Sequence, residues 1–254
     1  MLRRHQTNAL STPCQVAPRA NITDQVAVRY GLPDTNMQLV IGNKNYSSWS
    51  LRSWLVLKHF GIAFEEVKLR LDSPEFYAAI EKISPAHRVP VLVENDGFAV
   101  WDTLAIIEYL AEQYPQHAIW PEPIRERARA RSLCAEMHTG FSNLRNHMGM
   151  NIEAHLPGRG WNRSVQKDID RITQAWTDAL AQSRGPFLFG QFSAVDAYFA
   201  PVCFRFKTYD VSVSAAVQAY MNAVFAVPAV KQWVEVALVE RDYIAHDEPY
   251  RQAR

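Results

Sequence analysis

The sequence predicts a small mixed α/β domain followed by an all-helical one, and three observations carry that prediction. Across residues 37–115, apolar runs of strand length alternate with stretches of helical periodicity. The segment "PQHAIWPEP" then interrupts the pattern with three prolines. Beyond it, apolar residues recur almost entirely at helical spacing. The 254 residues suffice to bury a sizeable core, and 48% hydrophobic with 21% charged residues is the balance of a soluble globular protein.

Each element follows from its residues. "QLVIG" is a short buried strand ended by Gly42. Ser50 precedes a helix in which Leu51, Trp54 and Leu55 recur at helical spacing, and Gly61 supplies its stop. In "VKLRL", Val67, Leu69 and Leu71 alternate with Lys68 and Arg70, the period of a half-buried strand. Ser73 then caps a helix whose first position is Pro74, continued by "EFYAAIEKI". "RVPVLVENDGFAVW" reads as two strands around an Asn95-Asp96-Gly97 turn, and Asp102-Thr103 opens the helix "LAIIEYLAEQY". The order βαβαββα implies a mixed four-stranded sheet, a thioredoxin-like arrangement over residues 37–115. Residues 116–123 read as a linker. "IRERARARSLCAEMHTGFSNLRNHM" predicts one long helix with kinks near Gly140 and Gly149. "VQKDIDRITQAWTDALAQS" predicts another, with Val165, Ile169, Ile172, Trp176 and Leu180 on one face. "GPFLFG" is a short extended entry to a further helix, and "PAVKQWVEVALVE" is the last. A helical-bundle C-terminal domain is therefore expected over 124–245, with a tail over 246–254.

Several function classes lose support at this level. A formal net charge of +1, from 27 basic and 26 acidic residues, gives no electrostatic case for nucleic acid or an anionic membrane. No apolar run approaches the ~20 residues of a membrane span. Cys14, Cys134 and Cys203 are odd in number and unpaired in spacing, which favours a reduced compartment over a disulfide framework. No metal is expected: at about 100° per residue on a helix, His138 and His147 point to opposite faces, and His155 lies beyond a loop-like stretch. The first 36 residues lack sustained periodicity and are expected to be a disordered extension, or to precede a working start at Met37. Arg3, Arg4 and Arg19, with no acid before Asp24, give a fainter mitochondrial-presequence signal, and a cytoplasmic location is preferred.

Three elements carry chemistry. In "NYSSWSLRSW", hydroxyls follow a strand at the start of a helix, where free N–H groups and the helix dipole favour an anion. A thiol bound there has its thiolate stabilised, and a serine hydroxyl donating to that sulfur assists further. N-capping explains the serines as well, since serine is a preferred cap. No Gly-x-Ser-x-Gly elbow supports a serine hydrolase. In "SPAHRVPVL" a proline opens the third strand; if cis, it turns the Val89 backbone outward to pair with an extended peptide. In "WDTLAII", Asp102 suits an ammonium, while Thr103 and its neighbouring N–H groups suit a carboxylate. A thiol tripeptide with an amino-acid end satisfies all three.

On these motifs the sequence resembles the glutathione S-transferase superfamily over most of residues 38–245. "SSWSLR" is similar to the serine motif of the zeta-like and tau-like classes, in which the catalytic serine lies five residues before the arginine. Counting back from Arg52 gives Ser47, with Ser48 the alternative. "HRVPVL" matches the "KVPxL" loop, which implies a cis Pro90, Val89 clamping the cysteinyl backbone and Arg88 near the glycyl carboxylate. Asp102-Thr103 stands where the family usually has Glu-Ser, implying contact with the γ-glutamyl end through an acid one methylene shorter. "FSAVDAYFAP" fits the family's N-capping box, with Ser193 as cap and Asp196 three residues on, a folding role. The loop Ser-Ser-Trp-Ser lacks the cysteine of omega-like and beta-like relatives, so no mixed disulfide is expected there.

The resemblance implies glutathione as cosubstrate, attack of its thiol on a small hydrophobic or acidic electrophile, and a homodimer. The electrophile pocket is expected between the domains, with Trp49, His138, Phe141 and Arg145 as candidate walls. Two alternatives stand beside detoxifying transfer: glutathione-dependent isomerisation of a maleylacetoacetate-like diacid, with Arg145 or Arg159 on its carboxylates, and a non-catalytic glutathione-binding module.

Overall fold

A computed structural model of the chain describes residues 37–251. The expected extension over 1–36, Cys14 and the last three residues of the tail lie outside the described residues.

The first half runs β1 (Met37–Ile41), α1 (Ser48–His59), β2 (Glu65–Lys68), α2 (Pro74–Ile83), β3 (Val91–Glu94), β4 (Ala99–Trp101) and α3 (Thr103–Gln113). The sheet order is β2-β1-β3-β4, with β1–β2 parallel and the other two pairs antiparallel. The βαβ crossover explains the parallel pair, and the Asn95–Gly97 turn explains the hairpin, with Gly97 at φ +89. The α/β plus all-α fold class, with its thioredoxin-like first half, is thus the one the sequence predicts.

The second half is helical: α4 (Ile124–Thr139), α5 (Ser142–His147), α6 (Arg163–Gln182), α7 (Ala194–Thr208), α8 (Ala215–Ala226) and α9 (Pro228–Glu240), then a 3-10 turn at Ala245–Asp247. The core does not divide with the sequence halves. One buried cluster runs from Leu39 and Leu55 through Ile119 and Trp120 to Trp176, Phe199 and Trp233. The stretch read as a linker is therefore packed, and Ala194 N–H donates to Ile119 C=O at 2.7 Å. A smaller cluster of Val40, Val91, Phe76 and Ile80 fills the other sheet face under α2.

Three boundaries differ from the sequence reading. α1 starts at Ser48 because the Ser47 carbonyl already accepts Leu51 N–H at 3.1 Å; Ser50 and Ser53 are inside the helix and fully buried. β2 stops at Lys68, two residues into "VKLRL", because its partner β1 ends at Ile41 opposite Lys68; further on, Leu71 N–H is taken by the Asn43 side chain at 2.8 Å. Val67, Leu69 and Leu71 nevertheless pack on the smaller cluster, as their alternation requires. The long helix after the linker is two: Gly140 leaves helical geometry and Phe141 turns left-handed at φ +56. A Cβ at Gly140 would lie 2.8 Å from the Glu136 carbonyl oxygen, so only glycine closes α4 in this way.

Candidate active site

The register of the sheet brings the three predicted elements to one end. Val40 pairs with Val91, and Val91 with Trp101. The segment after β1, the segment before β3 and the segment after β4 must then emerge together. Those segments carry Ser47, Val89 and Asp102.

Ser47 is the N-cap of α1 but spends its hydroxyl elsewhere. Its Oγ donates to Ser50 Oγ at 2.7 Å, and Ser50 Oγ is fixed by Gly42 N–H at 3.1 Å. Ser48 Oγ instead accepts from Arg205 Nη2 at 3.3 Å. Both serines are buried, as the sandwiching of α1 between the sheet and α7 requires.

The Val89–Pro90 peptide is cis. Among the described residues, neither the N–H nor the C=O of Val89 has a hydrogen-bond partner. Backbone groups flanking a strand rarely stay unpaired, so this pair is free to bond water or an extended ligand. Arg88 beside it is exposed.

Asp102 caps α3 at φ +73, uncommon for a non-glycine residue. Its Oδ1 accepts Leu104 N–H at 2.8 Å, and its Oδ2 lies 3.2 Å from His138 Nε2. Thr103 is buried, with Oγ1 3.3 Å from the Tyr198 hydroxyl.

Of the expected pocket walls, Trp49, His138 and Arg145 come together. The Trp49 and His138 rings are 5.1 Å apart, and the Arg145 guanidinium lies 5.6 Å from the Trp49 ring while donating to the His138 carbonyl at 3.1 Å. Phe141 packs on the main core, and its left-handed turn aims α5 so that Arg145 folds back. Arg159 is elsewhere, in a cleft of about 530 Å³ with His155, Tyr250 and Arg251. A second cleft of about 840 Å³ lies between α4 and α6; neither cleft is lined by Ser47, Val89 or Asp102.

Cations dominate the floor of the site. Arg52 is buried with its guanidinium 4.2 Å from the Trp49 ring and 4.7 Å from the Tyr198 ring, and Nε donates to Tyr198 C=O at 3.0 Å. Arg205 donates to the Met148 carbonyl. Burial brings Arg52 down to about 10 and Arg205 to about 9, values that still leave both charged at neutral pH.

Other neighbours of the candidate site have no local signal in the sequence. The loop Asn43–Tyr46 that delivers Ser47 is held from far along the chain. Glu240 accepts Lys44 N–H at 3.2 Å and Asn45 N–H at 3.5 Å. Trp233 Nε1 donates to Lys44 C=O at 2.9 Å, Asp242 accepts from Asn43 at 2.9 Å, and Tyr46 O–H donates to Glu248 at 2.6 Å. Away from this site, Ser193 and Asp196 form a buried capping box, the Asp196 carboxylate accepting Ser193 N–H at 2.9 Å and Leu188 N–H at 3.2 Å.

Comparison with known proteins gives the same family on both halves. The signature described as "Glutathione S-transferase, N-terminal domain" matches residues 46–113, and "Glutathione S-transferase, C-terminal domain" matches 125–235. A Caenorhabditis elegans protein named "Probable maleylacetoacetate isomerase" is 35% identical over 99 residues, 39% of this chain and 45% of that one. A Vibrio cholerae protein of the same name is 25% identical over 186 residues, 70% of this chain and 86% of its own. Among solved structures, a Burkholderia glutathione transferase homolog with bound glutathione superposes with a TM-score of 0.64 at 25% identity, covering 80% of this chain and 98% of the other.

Proposed function

The chain belongs to the glutathione S-transferase family, and from that membership we propose that its site binds glutathione across the sheet end described above and activates the thiol for attack on a small electrophile. The observation that carries the reading is the convergence, fixed by strand register, of a hydroxyl at a helix start, an unpaired Val89 backbone and an acid-capped helix. Val89 N–H and C=O pair with the cysteinyl backbone, and exposed Arg88 serves the glycyl carboxylate. Asp102 takes the γ-glutamyl ammonium. Thr103 contributes through its backbone at the N-terminus of α3, where N–H groups lack intrahelical partners.

The sulfur lies at the start of α1, where rotation of Ser47 about χ1 redirects its hydroxyl from Ser50 to the thiolate; Ser48 is the alternative donor. A hydroxyl donor beside a buried cationic floor lowers the cost of the anion. The electrophile occupies the space beside Trp49, His138 and Arg145, which suits a hydrophobic or an acidic molecule. Replacing Ser47 with alanine should lower turnover roughly a hundredfold, the worth of one hydrogen-bond donor to a developing anion, with glutathione affinity within a few-fold of wild type. Unchanged turnover moves the role to Ser48.

A second reading is favoured by the relatives named maleylacetoacetate isomerase and by the placement of Arg145 over Trp49. Here the thiolate adds to a carbon–carbon double bond of a diacid, the resulting single bond rotates, and elimination returns the thiolate with the isomer. Mass spectrometry separates the two, since only transfer leaves a stable conjugate. A homodimer is part of the proposal. β4 is an edge strand exposing Trp101, next to exposed Phe98, an apolar edge that monomers seldom leave uncovered. Light scattering at twice the 29.0 kDa chain mass would support it.

A further inference from the structure

Asp102 and Thr103 are adjacent in the chain, and a path of polar side chains leaves one and returns to the other through the helical half. Asp102 Oδ2 faces His138 Nε2 at 3.2 Å; His138 Nδ1 is 2.8 Å from the Tyr198 hydroxyl; and that hydroxyl is 3.3 Å from Thr103 Oγ1. Each hydroxyl has one proton, so the protonation of the imidazole sets the direction of the path.

With neutral His138, the carboxylate opposite Nε2 selects the tautomer that carries its proton there, leaving Nδ1 to accept from Tyr198. Tyr198 must then accept from Thr103. Every proton is used, and Asp102 keeps its full negative charge while held by Leu104 N–H on one oxygen and the ring N–H on the other. Each carboxylate oxygen has two lone-pair sites, so room remains for a ligand donor. The Asp102 side chain is 43% exposed, whereas Thr103 is 1% exposed. Asp102 alone of the two therefore offers its side chain outward. With imidazolium, the same 3.2 Å contact becomes an ion pair that neutralises the carboxylate a ligand ammonium needs.

We propose that His138 is a positioning residue for the amine end of the bound tripeptide: as neutral imidazole it holds the Asp102 carboxylate for the ligand ammonium, and as imidazolium it takes that carboxylate for itself. The proposal rests on the reading that glutathione binds with its γ-glutamyl ammonium at Asp102. The ring contacts one anion, Asp102 of the α3 cap, and two cations lie close by without touching it. Arg145 of α5 donates to the His138 carbonyl, and Arg52 of α1 lies against both Trp49 and Tyr198. Tyr198 of α7 and the edge of Trp49 complete its surroundings.

The test compares two probes by calorimetry: S-methylglutathione, whose blocked sulfur releases no proton, and its analogue with the α-amino group replaced by hydrogen. The ratio of their affinities isolates the ammonium contact. In wild type this ratio should fall by about three- to tenfold, the worth of one hydrogen bond, as pH is lowered from about 8 to about 5. In His138→Gln it should be lower at the upper end and independent of pH. Tyr198→Phe, which keeps the ring but removes the hydroxyl on Nδ1, should lower the ratio and retain its pH dependence. A flat ratio in wild type, or an unchanged pH dependence in His138→Gln, overturns the proposal. Failure of S-methylglutathione to bind wild type at any pH instead defeats the glutathione reading on which it rests.

Discussion

Glu240 closes α9 and grips the loop that presents Ser47, although some 190 residues separate them. Replacing it with alanine leaves Lys44 N–H and Asn45 N–H without their carboxylate, in residues only 3% and 4% exposed. A hydrogen bond to a charged acceptor contributes about 1.5–3 kcal/mol. Counting the 3.2 Å bond in full and the 3.5 Å bond at about half gives a loss of about 3 kcal/mol. The ion pair to Lys68, whose side chain is 38% exposed, adds less than about 1 kcal/mol. For a chain of this size a loss of about 3 kcal/mol lowers Tm by roughly 6–12 °C. Glu240→Gln keeps one acceptor and should lose about half as much. Thermal unfolding followed by circular dichroism reads the shift. Turnover below the transition should fall while KM for glutathione changes little, because under the proposed function the loop places the sulfur's donor and leaves the Val89 edge untouched. If Glu240→Ala melts within about 2 °C of wild type, the reasoning about the buried N–H groups is wrong.

Further outcomes follow from other parts of the fold. Burial raises Asp196 from 3.8 to about 6, so the folded state binds its proton more tightly than the unfolded chain does. Its contribution to stability is present in full below 3.8 and is lost as pH rises through about 6, a fall of about 3 kcal/mol. Asp196→Asn should be destabilised at low pH through lost acceptors, and its urea midpoint should lack this component of the wild-type pH slope. Gly160 has φ +70, and a Cβ there would lie 2.0 Å from the His147 carbonyl oxygen. Gly160→Ala should therefore lower stability by about 2 kcal/mol or more in denaturant titration, and a neutral result would mean the 151–160 loop sits elsewhere.

Much of this was legible because it is local. The hairpin rests on one turn sequence, the α2 cap on Ser73-Pro74, and the thiol-site segments on short runs beside strand ends. Where one local cue serves several outcomes it decides none: "SSWS" offers several caps, and periodicity across Gly140 and Phe141 does not reveal that the backbone turns left-handed at Phe141. The sequence offers His138 only as a candidate pocket wall. Its engagement with Asp102 was not legible, because the two meet only when α4 packs beside α3.

The sequence by itself determined the order of elements, the family and which short segments bear polar groups for a thiol peptide, since these depend on neighbours within a few positions. Tertiary structure alone decided which proton each hydroxyl spends, which arginines lie under Trp49 and which distant carboxylate holds the Ser47 loop. The reason is physical. Burial makes an unpaired polar group costly, and in this chain many of the partners come from the opposite half, brought close only by the shared apolar core.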